Sequence, residues 1–205
     1  MRDVFTEPVP DPDTLARLGP LRAIAGVWTG ETGVDTHPVV TGTESNQYVE
    51  RIELQPIDAQ TNGPQLFYGL RYHTHIVKPG EVQTFHDQVG YWLWEPATGA
   101  ILMTLAIPRG QVAMAVGKAH EDDTTFTVEA VRGSLTNGIV SNAFLEYGFR
   151  TERFTMMINA HANGTWSYKQ DTVMKVAGRD APFHHTDRNI LTRIAAPTPN
   201  PTAPR

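Results

Sequence analysis

The pentapeptide Gly26-Val27-Trp28-Thr29-Gly30 opens a run of short alternating segments that continues almost to the C-terminus with no helix of crossover length between them. Parallel strands need long crossover connections, so these strands must pair antiparallel with neighbours in sequence. The strand candidates after the first are 48–54, 66–77, 82–94, 100–107, 111–118, 125–131, 139–149, 151–160 and 165–176. Between them fall turn signals such as Lys78-Pro79-Gly80-Glu81, Ala97-Thr98-Gly99, Arg109-Gly110 and Asn163-Gly164. About ten strands in meander order favour closure, because a closed sheet has no exposed edge. The expected fold is therefore all-β, an antiparallel up-and-down β-barrel of the lipocalin or fatty-acid-binding-protein type, with short helical turns at each end. A β-sandwich is the other architecture the pattern allows. Trp28 is the natural plug for one end of such a barrel, and its flanking glycines let the first strand bend tightly.

With 205 residues the chain suits one domain with a sizeable core. We expect an N-terminal arm with a short helix over 1–19, a ligand-binding barrel over 20–195 and a disordered Pro-rich tail over 196–205. Asp13 or Thr14 caps the arm's helical turn over 13–18, Gly19-Pro20 ends it, a second turn follows over 21–25, and a last one spans 187–193. The formal charge of −5, with no run of Lys or Arg, argues against nucleic acid. Absence of cysteine excludes disulfide and thiol chemistry. Residues 1–19 lack the apolar core of a secretory signal and no segment is long enough to span a membrane, which reads as a cytoplasmic protein. The partners expected are a small molecule inside the barrel and, as a further option, a second copy of the chain.

Histidine placement is the best chemical clue among the eight in the chain. His73 and His75 share one face of a strand. A tight turn centred on Pro79 and Gly80 would set His86 opposite His73 on that same face, offering three imidazoles to a metal. The other reading of this face is a solvated exterior. A second pair, His184-His185, lies between the strand ending at 176 and the expected last turn, where a histidine can reach into a barrel mouth. Met103, Met114, Met156, Met157 and Met174 fall on strands and suit either an adaptable pocket or a core. Gly-x-Ser-x-Gly, a phosphate loop and a dinucleotide fingerprint are absent.

Three segments together resemble the nitrobindin family of heme-binding, fatty-acid-binding-protein-like barrels. They are residues 24–33 around Trp28, residues 85–92 with the strand that ends Ala106-Ile107-Pro108-Arg109-Gly110, and residues 154–174 with the loop to Leu191. The resemblance covers about residues 20–194. It implies a ten-stranded barrel with heme b in its mouth and a histidine of the C-terminal loop on the iron. In that family the iron is stably ferric, binds nitric oxide and is linked to isomerising peroxynitrite to nitrate. Carried over by position, Phe85, His86, Ile107 and Met174 are cofactor-binding positions, and the iron ligand is His184 or His185. Aligned without a gap from Pro182 to Leu191, the ligand position falls on Thr186; counted forward from Met174, it falls on His184.

Three functions are thus in view. The first is a heme b-binding barrel, with peroxynitrite isomerase-like chemistry if it is an enzyme. The second is a heme-free barrel for a small apolar ligand. The third is a non-heme metal enzyme using His73, His75 and His86.

Overall fold

The computed structural model describes residues 3–199; positions 200–205 of the expected tail lie outside them. A 3₁₀ helix, Gly19–Ile24, leads into β1 (Gly26–Val39), β2 (Gly42–Pro56), β3 (Gln60–Asn62), β4 (Gln65–Val77), β5 (Thr84–Glu95) and β6 (Ala100–Ile107). The chain continues through β7 (Gln111–Lys118), β8 (Thr125–Val131), β9 (Ile139–Ser141), α1 (Ala143–Gly148), β10 (Phe149–Ala160), β11 (Trp166–Val176) and β12 (Phe183–Ala195). Ten strands form a closed antiparallel barrel in the order β2-β1-β12-β11-β10-β8-β7-β6-β5-β4, and a β2–β4 ladder completes the ring. The short strands β3 and β9 attach to β4 and β7. Among the described residues no helix is long and apolar enough to cross a membrane.

Trp28 plugs one end, fully buried. Its Nε1 donates to the Ile24 carbonyl at 2.8 Å. Its ring meets Trp166 edge-on at 6.1 Å, and the Arg193 guanidinium covers it from outside at 4.5 Å. The N-terminal arm reaches the barrel through Tyr68, whose hydroxyl accepts from the Asp11 amide at 2.9 Å. Asp13 caps the turn that follows by accepting from the Ala16 amide.

Glycine matters here for a different reason than bending alone. A β-carbon on Gly30 would overlap the side chain of Asn189, and one on Gly33 would overlap the ring of Tyr48. Both of those side chains are buried inside the barrel. The β1–β2 ladder also slips between Gly30 and Gly33, the irregularity a bulge introduces into a bent strand. The opening motif therefore vacates space for polar groups supplied by other strands.

Three expectations require correction. Residues 139–149 are not one strand: after β9, Asn142 adopts an extended conformation and accepts from the Leu145 amide, capping α1. Residues 187–193 are not a helical turn but the middle of β12. That strand pairs with β1 on one side and β11 on the other, because the barrel closes only if both edges are satisfied. Most consequential is the β4–β5 register. The connection is a six-residue loop over 78–83 with an irregularity beside Phe85, and His73 lies opposite Val89, three positions beyond His86. A slip by an odd number turns a strand's side chains to the other face. His86 pairs with Ile76 and faces inward, while His73 and His75 face outward. The expected three-histidine face therefore does not exist.

Candidate functional site

Opposite the Trp28 plug the barrel opens into a cavity of about 430 Å³, within the usual size of ligand pockets. Strand alternation selects most of its lining, since every second side chain of each strand points inward, and α1 adds Phe144 and Leu145. The two halves of the ring differ in chemistry. From β5, β6 and β10 come Trp92, Met103, Leu105, Ile107, Phe154 and Met156, an apolar wall. From β1, β2, β11 and β12, adjacent in the ring, comes a wall of hydrogen-bonding and ionisable groups.

That polar wall is layered. Nearest the plug, Glu50 of β2 is buried, and its Oε2 accepts from the Tyr168 hydroxyl and the Asn189 amide, each at 3.0 Å. Tyr168 in turn hydrogen-bonds Tyr48 at 2.7 Å. Burial pushes Glu50 up to about 7, the two hydrogen bonds opposing the shift. Burial likewise raises Tyr48 and Tyr168 well above the ordinary phenol value, keeping both neutral donors.

Nearer the mouth, Asp35 of β1 bridges two imidazoles. Its Oδ1 lies 2.6 Å from His185 Nε2 and its Oδ2 lies 2.5 Å from His37 Nδ1. Asp187 lies beside them, 3.6 Å from His185 Nε2, and accepts from the Gln170 amide at 3.0 Å. Burial works against charge on Asp35, but hydrogen bonds from His185 and His37 outweigh it and lower its pKa. Burial and the neighbouring Asp35 together raise Asp187. Burial also opposes charge on His185, yet Asp35 and Asp187 leave its pKa above the ordinary value. Asp35, His185 and Asp187 each present one ligand atom within 4.8 Å of the others.

Across the mouth, His86 Nδ1 lies 3.1 Å from the Arg109 guanidinium. Burial and then the Arg109 charge lower His86 to about 4, so it is a neutral side chain at pH 7. Lys78 sits over the Phe85 ring at 5.3 Å.

Of the residues singled out from sequence, Phe85, His86, Ile107, Met174 and His185 all line this cavity, as do Met103 and Met156. His184 does not. It projects from the opposite face of β12, its side chain 58% exposed, and its Nδ1 lies 2.9 Å from Asp171. His73 is likewise an exterior residue, paired with Asp87 at 2.9 Å. Asp35, His37, Glu50 and Arg109 are not among the site candidates that the sequence singles out, and Asp187 falls in the stretch expected to be a helical turn. One signal was available: Asp35 and His37, two apart on the first strand, must share a face.

The sequence profile of the THAP4-like, heme-binding β-barrel domain matches residues 17–193. The chain belongs to that family, the nitrobindin family. Among solved structures, the crystal structure of Rv2717c from M. tuberculosis superposes with a TM-score of 0.62, covering 88% of this chain and 96% of that one at 19% identity, so the two share a fold. No curated protein matches the sequence significantly. In this nitrobindin-family barrel the donor chemistry suits a heme: a cavity-facing imidazole whose Nε2 is held by a carboxylate, with an apolar wall opposite.

Proposed function

We propose that the chain binds heme b in the open end of the barrel, with His185 as the protein ligand to the iron. The observation that carries this reading is the facing of the C-terminal histidine pair: His185 points into the cavity and His184 points to solvent. Nδ1 of His185 has no hydrogen-bond partner among the described residues, while Asp35 occupies Nε2. A carboxylate on the second nitrogen fixes the ring and raises its basicity as a ligand. The apolar wall would shelter the porphyrin from water, and Arg109 and Lys78 would supply cations for its carboxylates. Neutral His86 offers a hydrogen bond without adding charge. A bound heme supplies an iron able to take up nitric oxide and to isomerise peroxynitrite to nitrate.

Titration of the purified protein with ferric heme tests this. A Soret band saturating at one heme per chain, lost in His185→Ala and kept in His184→Ala, is expected. Absence of a specific band would overturn the reading and leave a heme-free barrel for an apolar ligand.

A further inference from the structure

We propose that Asp35, His185 and Asp187 also form a binding site for a zinc-class divalent cation. This goes beyond the heme reading and does not rest on it, since the same imidazole serves one metal or the other at a given time.

The geometry is that of a donor set drawn from two strands. His185 and Asp187 stand two apart on β12, so alternation alone puts both on its inner face. Asp35 reaches them from β1 through the ladder that pairs Asp35 with Asp187. One ligand atom from each lies within 4.8 Å of the other two. Ligand atoms of a tetrahedral ion with bonds of about 2.1 Å stand about 3.4 Å apart, so small side-chain rotations complete the set. Neighbours steady both carboxylates: His37 on the second oxygen of Asp35, and Gln170 on Asp187. Ligating carboxylates are characteristically held in this way.

Charge balance points independently to a cation. Asp35, Asp187 and Glu50 share one wall of the cavity, and among the described residues no lysine or arginine forms an ion pair with any of them. The ion pairs of Asp35 and Asp187 are to His37 and His185 only. Glu50, 1% exposed, meets neutral donors through Oε2 alone, leaving Oε1 without a hydrogen-bond partner among the described residues. Carboxylates crowded out of water repel one another, and either a proton held on one of them or a cation between them relieves the repulsion. One imidazole with two carboxylates selects a borderline first-row ion over magnesium or calcium, which prefer all-oxygen shells. Three protein donors leave a coordination position open toward the cavity, the arrangement of exchangeable rather than purely structural sites.

The test uses full-length protein stripped with chelator and free of heme, titrated with Co²⁺ by visible absorbance and then with Zn²⁺. One Co²⁺ per chain, displaced by Zn²⁺, is expected. Asp187→Asn and Asp35→Asn should each weaken Co²⁺ binding at least about tenfold, whereas Asp171→Asn beside the outward His184 should not. In the unmodified chain, Zn²⁺ should shift the His185 ring signals in NMR and leave those of His73 unmoved, a readout independent of whether a variant folds. No saturable binding, binding indifferent to both Asn variants, or an unmoved His185 signal would overturn the proposal. Because no heme is present, failure here leaves the heme titration untouched, and the reverse holds.

Discussion

His185 Nε2 stands 2.6 Å from Asp35 Oδ1, joining side chains 150 positions apart in the chain. Asp35 belongs to the first strand of the barrel and His185 to the last, so the seam that closes the fold also assembles the polar end of its cavity. Replacing Asp35 with Ala strips a partner from both His37 and His185 at once. We expect a loss of about 1–3 kcal/mol, read as a lower midpoint in urea denaturation, with Asp171→Ala at the exposed His184 pair close to neutral.

Gly30→Ala and Gly33→Ala should each be costly although each adds only a methyl group. The new carbon meets Asn189 in the first case and the Tyr48 ring in the second. Overpacking of this kind costs about 1–3 kcal/mol, visible as a drop in melting temperature. Gly148→Ala, which like these two sites needs no positive φ and whose new carbon meets nothing nearer than 3.6 Å, is the control without a clash.

Glu50 makes stability depend on pH. Its carboxyl titrates at about 7 in the folded chain against an ordinary 4.5. The folded state therefore holds the proton more tightly than the unfolded state does. That contribution is complete below pH 4.5 and is lost as the pH rises to about 7. The full span amounts to about 3 kcal/mol. Denaturation of Glu50→Gln and the parent across this range, in chelator, should show the slope flattened in the variant.

His86 acts in the opposite direction. Its folded pKa of about 4 lies below the ordinary 6.5, so the unfolded chain takes up a proton that the folded chain refuses. This part of the stability is intact above pH 6.5 and falls as the pH drops toward 4. Since Arg109 contributes to the depression after burial, Arg109→Gln should raise the His86 pKa in an NMR titration.

His73→Ala and His75→Ala should change neither heme uptake nor Co²⁺ binding. Both side chains lie on the outer face, bonded to Asp87 and Thr84. Each should shift stability by no more than about 0.5 kcal/mol. Loss of metal or heme binding in either would revive a site on that face.

The strands legible in the sequence are those whose turns are short. β6 and β7 run over 100–107 and 111–118 as expected, because Arg109-Gly110 between them leaves no freedom of register. The β4–β5 hairpin was misread because Pro79-Gly80 looks like a tight turn yet sits within a longer loop. Local residues cannot reveal how many flanking positions such a loop absorbs, and one odd slip took His86 off the face of His73 and His75 and turned it inward. α1 was missed for a related reason: Val140, Phe144 and Phe149 suit a strand, and only the cap at Asn142 favours helix.

By itself the sequence determined the all-β class, antiparallel pairing and the Trp28 plug, for these follow from period-two alternation, short connections and one bulky residue between glycines. It also singled out the His184-His185 pair. Which of the two faces the cavity was decided by the pairing of β12 with β1 and β11, which a reading of 187–193 as helix could not supply. The polar wall belongs largely to tertiary structure: Glu50, Tyr168 and Asp187 are unremarkable in their own segments, and they stand on one wall with Asp35 only when the barrel closes. Local pattern sets which side chains share a face, but only closure sets which faces meet.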